Sequence, residues 1–310
     1  MERYGYGIDI GGTSVKLGFF AADGTLLEKW SIPTDVSDGG SHVAAAIAAA
    51  VRDHREKHKT AGAILGAGVG IPGPVSGDGL VSRCPNLGWR DYDAAGELAR
   101  LLDMPVVCLN DANAAALGEM WHGGARAYRS FVLLTLGTGV GGAVIMDGRV
   151  VSGAHGAGGE IGHIPLVPEG RACGCGRRGC FERYASATGL VQTAQERLAA
   201  DGAPSVLRDG ELTAKAVWDA AVAGDAVAEA IADEHCRALA RGCAAIAAVC
   251  DPEAFLLGGG VSGAGAALTE RVRAHYREAV FPACRDTAFV LASLGSDAGI
   301  HGAFYRLLHR

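Results

Sequence analysis

No part of this 310-residue chain carries the ~20 consecutive apolar residues that a bilayer span requires. The alanine-rich stretch VAAAIAAAV at 43–51 is too short and runs straight into the charged segment Arg52 to Lys59. A charged opening followed by an apolar core, the mark of a secretory leader, is missing as well. The expectation is a soluble cytoplasmic protein with no membrane partner. Basic charge is not in excess: 28 Lys and Arg stand against 34 Asp and Glu, a net charge of −6, and the cations are scattered rather than striped. That excludes the electrostatic footprint of a nucleic-acid binder. Two familiar phosphate-binding signatures are absent too. There is no G-x-x-x-x-G-K-[ST], and the glycine turn near the start leads into a strand instead of the helix that a dinucleotide fingerprint needs.

What is present is glycine, 47 residues of it, placed at regular points of an α/β pattern. Residues 4–10, 15–21 and 25–32 read as three strands, turned at Gly11-Gly12-Thr13 and at Asp23-Gly24. A helix is expected at 41–58, a strand at 63–71 ending in Pro72-Gly73-Pro74, a helix at 93–102 and a short strand at 106–109. The second half repeats the scheme. A strand at 130–136 turns at Gly137-Thr138-Gly139 into another at 142–147. Helices are expected at 186–200, 213–223, 225–250 and 264–279, with a strand at 254–257 before Gly258-Gly259-Gly260. Such a length divides into two lobes. The expected division is 1–109 plus 297–310 as a small lobe and 110–296 as a large one, hinged near 109–112, with the C-terminal helix crossing back onto the first lobe.

The densest chemistry lies between His163 and Cys180, which reads H-I-P-L-V-P-E-G-R-A-C-G-C-G-R-R-G-C. One histidine and the thiols of Cys173, Cys175 and Cys180 make a donor set suited to a closed tetrahedral Zn²⁺ site. Gly174, Gly176 and Gly179 supply the backbone freedom that a tight knuckle needs. The alternatives are unrelated thiols or a disulfide framework, but nine cysteines cannot all pair and a reducing compartment favours thiolate ligands. Cys84, Cys108, Cys236, Cys243, Cys250 and Cys284 sit in apolar surroundings and read as small core residues. Glu160 and Glu182 flank the knuckle, where a pair of acceptors suits neighbouring sugar hydroxyls better than the role of solvated surface charges.

Two glycine turns read as phosphate grips. Asp9-Ile10-Gly11-Gly12-Thr13, with Lys16 after it, offers backbone N–H groups, a hydroxyl and a carboxylate suited to Mg²⁺ held through water. Gly137-Thr138-Gly139 is its counterpart in the second half. Asn110-Asp111 follows a buried strand and precedes a helical run from Ala114 to Trp121, so Asp111 reads either as a helix cap or as a functional carboxylate at a strand end. Pro85-Asn86-Leu87-Gly88-Trp89 is a polar-aromatic loop, either an ordinary surface turn or a ligand-facing one.

Together these segments resemble the ROK family of bacterial sugar kinases and repressors. The motifs are G-I-D-I-G-G-T at 7–13, G-I-P-G-P-V at 70–75, N-L-G-W at 86–89, N-D-A-N-A-A at 110–115 and L-G-T-G-V-G-G at 136–142. They continue with G-E-I-G-H at 159–163, C-G-C-G-R-R-G-C-F-E at 173–182 and L-G-G-G-V-S at 257–262. V-K-L-G at 15–18 and A-L-G-E-M-W at 116–121 draw the likeness toward the branch that phosphorylates glucose. The resemblance implies a two-lobed actin-like ATPase (ribonuclease H-like) fold with ATP and sugar in an inter-lobe cleft, and phosphoryl transfer to the 6-hydroxyl of glucose. It further implies Asp111 as general base, with Asn110, Glu160, His163, Glu182 and Asn86 on the sugar. His163, Cys173, Cys175 and Cys180 would hold structural zinc. Asp9, Gly11, Gly12, Thr13, Lys16, Gly137, Thr138 and Gly139 would serve the phosphates and Mg²⁺, and Gly258 and Gly259 the adenosine. A homodimer or dimer of dimers is implied by the resemblance alone. Kinases of N-acetylmannosamine, N-acetylglucosamine or fructose share these motifs. A sugar-responsive repressor fits worse, since the acidic chain reaches its first phosphate motif at residue 7. Gly174 and Ser14 depart from the common pattern without removing a ligand.

Overall fold

The computed structural model describes residues 2–58 and 62–310; Lys59, the end of the charged run, lies outside them. The chain opens with the expected antiparallel meander of β1 (Arg3–Ile10), β2 (Ser14–Ala21) and β3 (Leu26–Pro33). After α1 (Val43–His58), β4 (Ala63–Ile71) pairs parallel to β1. A hairpin of β5 (Leu80–Cys84) and β6 (Trp89–Asp93) follows, which the sequence pattern did not announce. Its Asp93 side chain accepts from Gly96 N at 2.9 Å and so starts α2 (Ala94–Leu102). β7 (Val106–Asn110) then joins β4 in parallel and leads directly into α3 (Asp111–His122), three residues earlier than expected. The first sheet has the order β3-β2-β1-β4-β7.

The second half is built the same way. β8 (Phe131–Leu136), β9 (Val140–Met146) and the two-residue β10 (Arg149–Val150) form the meander. After the knuckle come α4 (Glu182–Ala185), α5 (Ala187–Ala200), α6 (Ala214–Val222) and α7 (Ala226–Cys250), then β11 (Ala254–Gly258), α8 (Ala266–Ala279) and β12 (Ala288–Leu291). Ser186, Thr213 and Asp225 cap α5, α6 and α7, each accepting from the backbone N–H three residues on. This sheet runs β10-β9-β8-β11-β12. Among the described residues both five-stranded sheets therefore share one order, a meander at one edge and two parallel strands at the other. The expected duplication is real.

The chain closes with α9 (Ala298–Leu308). It lies on the first sheet because that sheet alternates large and small. Tyr6, Ile8 and Ile10 of β1 are fully buried on the side of α1 and α2, while Gly5 and Gly7 face α9. A Cβ at Gly68 of β4 would strike the Ala303 carbonyl of α9, and one at Gly302 would strike the Ala114 carbonyl of α3. Phe20, Ile300, Phe304 and Leu307 seal the contact. Each fully buried side chain of this size contributes roughly 1.5–3 kcal/mol.

By its contacts the chain divides into two compact units: Met1–Arg126 with Val150–Gly158 and Leu294–Arg310, and Ala127–Arg149 with Gly159–Ser293. The return of the C-terminal helix to the first unit was expected. The expected boundary at 109/110 was not the one observed, since α3 stays with β7 and α9, and the chain leaves the first unit after Arg126. Among the described residues no helix is long and apolar enough to cross a membrane.

Candidate active site

In the first unit three strand ends bring the sequence-identified residues together. Asp9, the last residue but one of β1, stands opposite Lys16 of β2 and pairs in register with Gly70 of β4. A Cβ at Gly70 would lie 3.5 Å from Asp9 Oδ1 and 3.6 Å from the Cα of Asp111, so the Asp9 carboxylate and the Asp111 backbone lie on either side of one glycine. Glycine is needed again opposite, where a Cβ at Gly299 of α9 would come within 2.6 Å of Asp9 Oδ2. Burial raises the pKa of the Asp9 carboxyl, and the nearby Lys16 charge works against that shift. Lys16 is itself tethered, donating from Nζ to Ser296 O at 3.1 Å.

The cap of α3 is Asn110, not Asp111. Asn110 Oδ1 accepts from Asn113 N at 3.0 Å, and its Nδ2 donates to Gly73 O at 3.1 Å and to Asp111 Oδ1 at 3.0 Å. Asp111 is the first helical residue, with Oδ1 also accepting from Ala112 N at 2.8 Å. Two donors thus fix the orientation of its carboxylate at a helix N-terminus, where the backbone favours negative charge. The N-L-G-W loop is nearby, for Gly73, whose carbonyl accepts from Asn110, packs against Arg83 and Cys84, two residues before Asn86. Only Asn86 of that loop is polar and exposed. Trp89 is buried and donates to Gly40 O at 3.1 Å, so the loop's aromatic residue belongs to the core rather than to a ligand face.

The Gly11-Gly12-Thr13 turn closes with Gly11 N donating to Ser14 O at 3.0 Å, and Thr34 Oγ1 donates to Gly11 O at 2.7 Å. Gly12 and Thr13 remain exposed at the tip. In the second unit Gly137 N donates to Gly139 O at 3.0 Å and leaves Thr138 exposed, a turn one residue shorter at the equivalent place. Gly259, at φ 82°, packs on Leu136, the residue before that turn, so a Cβ there would be 2.6 Å from Leu136 O. The two glycine clusters of this unit are therefore neighbours. Past Gly260 a cavity of about 270 Å³ opens, lined in part by Lys215, Trp218 and Asp219 of α6. Nothing in the local pattern of α6 sets these apart from ordinary helix residues.

The knuckle folds as expected. Cys173 N donates to Arg177 O at 2.9 Å and Gly176 N to Cys173 O at 3.0 Å, with Gly176 at φ 87°. One donor atom each of His163, Cys173, Cys175 and Cys180 lies within 4.8 Å of all the others. His163 Nδ1 is 3.7 Å from Cys173 Sγ, and Cys175 Sγ is 3.6 Å from Cys180 Sγ. Three sulfurs and one imidazole nitrogen at such distances fit a zinc ion closed on all four sides. Hydrogen bonds from Arg177 hold the Cys175 pKa down at about 6, which favours the thiolate that metals bind. Burial pushes Cys173 up to about 12, helped by its hydrogen bond to Glu182.

Glu182 joins the knuckle to the glycine turn. Its Oε1 accepts from Cys173 Sγ at 2.9 Å, while a Cβ at Gly139 would be 2.7 Å from its Oε2. Glu160 approaches the other side of His163, with Oε2 at 3.9 Å from Nε2. The knuckle thus gathers both glutamates around one imidazole, whose Nδ1 faces the thiols and whose Nε2 faces Glu160.

Two anchors, one part-buried and one buried, escaped the sequence reading. Arg171 donates to the carbonyls of Arg183 and Gly189 and to Thr193 Oγ1, strapping the knuckle to α4 and α5. Glu119, 1 % exposed, accepts from Gly124 N at 2.7 Å and Leu294 N at 2.8 Å and ties the end of α3 to the approach of α9. Glu119 lies within the A-L-G-E-M-W motif, where the sole carboxylate amid apolar residues was the available signal.

The chain matches the ROK family over residues 5–310. It is 40% identical over 310 residues to a glucokinase of Halalkalibacterium halodurans, covering 97% of this chain and 94% of that protein. It is 34% identical to an N-acetylmannosamine kinase of Escherichia fergusonii, with 96% and 95% covered. Among solved structures it resembles a ROK family glucokinase from Streptomyces griseus in complex with glucose and AMPPNP. That likeness has a TM-score of 0.78 at 35% identity and covers 98% of each chain.

Proposed function

The chain belongs to the ROK family, with its two-lobed actin-like ATPase fold, and we propose that it transfers the γ-phosphoryl group of ATP to the 6-hydroxyl of glucose. The observation that supports this reading is that Asp9, near the end of β1, and Asp111, directly after β7, lie on either side of Gly70 at the C-terminal ends of parallel strands, a placement that suits a phosphate-side carboxylate and a proton acceptor. Asp111 accepts the proton of the sugar hydroxyl as that oxygen attacks the γ-phosphorus and ADP departs. Such chemistry asks the protein mainly for positioning and charge neutralisation. The turns at Gly11-Gly12-Thr13 and Gly137-Thr138-Gly139 are assigned to phosphate oxygens, with Lys16 adding positive charge, and Gly258 and Gly259 are assigned to the adenosine. Asp9 would hold Mg²⁺, which when bound neutralises the polyphosphate. By the family resemblance, Asn86, Asn110, Glu160, His163 and Glu182 are the residues assigned to the sugar hydroxyls. His163, Cys173, Cys175 and Cys180 would hold a structural zinc that keeps Glu160 and Glu182 in register.

The similarity to an N-acetylmannosamine kinase supports a second reading, a kinase of that amino sugar. ADP release measured with glucose, mannose, fructose, N-acetylglucosamine and N-acetylmannosamine, using ATP and then polyphosphate as donor, separates the two. Highest kcat/KM with glucose and ATP is expected; preference for N-acetylmannosamine would transfer the assignment.

A further inference from the structure

A second cluster of metal-ligating side chains lies in the first unit, away from Asp9 and Asp111. Glu28 on β3 faces His54 and His58, which stand one turn apart on α1. Glu28 Oε2 is 3.5 Å from His54 Nε2 and 3.1 Å from His58 Nε2, and the three donor atoms lie within 4.8 Å of one another. Ligands about 2.0–2.1 Å from a tetrahedral zinc are separated by about 3.3 Å, so both measured edges match that figure closely. His54 carries a second, independent sign. It is only 5% exposed, and its Nε2 is buried with no hydrogen-bond partner among the described residues. A buried ring nitrogen aimed at a carboxylate without a hydrogen bond is an unsatisfied ligand.

The surroundings favour the metallated tautomer. His54 Nδ1 is 3.1 Å from the Tyr6 hydroxyl, so with Nδ1–H donating to that oxygen the Nε2 lone pair points at the cluster. Trp30 stacks on the His54 ring at 4.7 Å and 4°, which holds the imidazole plane. Glu28 and His58 are each nearly half exposed, leaving the remaining coordination position to water.

We propose that Glu28, His54 and His58 form a second metal site, which takes a first-row divalent cation of the Zn²⁺ class. Two imidazoles and one carboxylate suit such an ion, whereas Ca²⁺ and Mg²⁺ prefer oxygen donors alone. The site lies on the α1 side of the sheet, opposite the side that carries Asp9, and the cation would clip the last turn of α1 to the edge strand β3. It serves neither the sugar nor the phosphates.

Zinc titration of the purified protein, followed by calorimetry and by tryptophan fluorescence, tests the proposal. Wild type is expected to take one equivalent beyond the His163 and cysteine set, with a change in Trp30 emission. Glu28→Gln and His58→Ala are each expected to lose that equivalent and its fluorescence signal while keeping the wild-type melting curve without added metal. Both side chains are part-exposed, so the fold does not depend on them. The proposal is overturned if wild type takes no further equivalent, or if both variants titrate as wild type does.

Discussion

At the scale of the residue, Glu182 links the knuckle to the glycine turn of the second unit, since one oxygen holds the Cys173 thiol and the other faces Gly139. If it binds sugar hydroxyls, Glu182→Ala removes charge-assisted hydrogen bonds worth about 1.5–3 kcal/mol. Steady-state kinetics are then expected to show the glucose KM raised by roughly 10- to 150-fold with the ATP KM little changed; the reverse pattern would remove Glu182 from the sugar site. Cys175→Ser tests the knuckle. It is expected to lose zinc by elemental analysis while the protein stays folded, because the metal organises one loop and not the core; full occupancy would refute the ligand assignment. The donor set itself was legible, as thiols and imidazole at that spacing have few other uses. Arg171 was not, because its role comes from carbonyls of α4 and α5 that only folding brings to it. The cap of α3 was legible only in part. The junction was evident, but which of Asn110 and Asp111 caps it depends on where the helix begins.

At the scale of the element, the decisive contact is α9 against the first sheet and α3. Gly302→Ala places a methyl group where the Ala114 carbonyl sits, and backbone on both sides leaves no room to relax. Overpacking of this kind costs about 1–3 kcal/mol, so calorimetry should show a lowered Tm; an unchanged Tm would mean that α9 is less tightly docked than described. The elements that sequence periodicity revealed are the long or strongly alternating ones. β1 reads Y-G-Y-G-I-D-I, and that alternation places Asp9 on the glycine face. β5, β6 and β12 were missed for a common reason: they are only four or five residues long and none is fully buried, so they carry too few apolar positions to show a period. α4, a single turn following the knuckle, is shorter still.

At the scale of the whole molecule, the duplicated sheet order explains why the two glycine turns match: each is the first bend of an equivalent meander. The repeat was legible because glycine marks both bends. The division into units was harder to read, since α3 packs against α9, a partner from the far end of the chain. Stability should carry a pH signature of its own. His235 of α7 is 1% exposed, with Nε2 3.0 Å from Ala185 O, and burial lowers its pKa from 6.5 to about 4. Above pH 6.5 both folded and unfolded chains leave it neutral; below that the unfolded chain takes up a proton the folded one refuses. Its contribution is therefore a loss of about 3 kcal/mol as pH falls from 6.5 to 4. Denaturant midpoints across that window should fall less steeply in His235→Gln; parallel curves would contradict the burial argument. The central claim is phosphoryl transfer to the sugar with Asp111 as base. Its most direct test follows ATP and glucose by phosphorus NMR, for wild type and for an Asp111→Asn variant shown to be folded and to bind glucose. Wild type is expected to yield glucose 6-phosphate and ADP in equal amounts, with kcat reduced about 10²–10⁴-fold in the variant. Near-normal turnover in the variant, or ADP without a sugar phosphate in wild type, would contradict it.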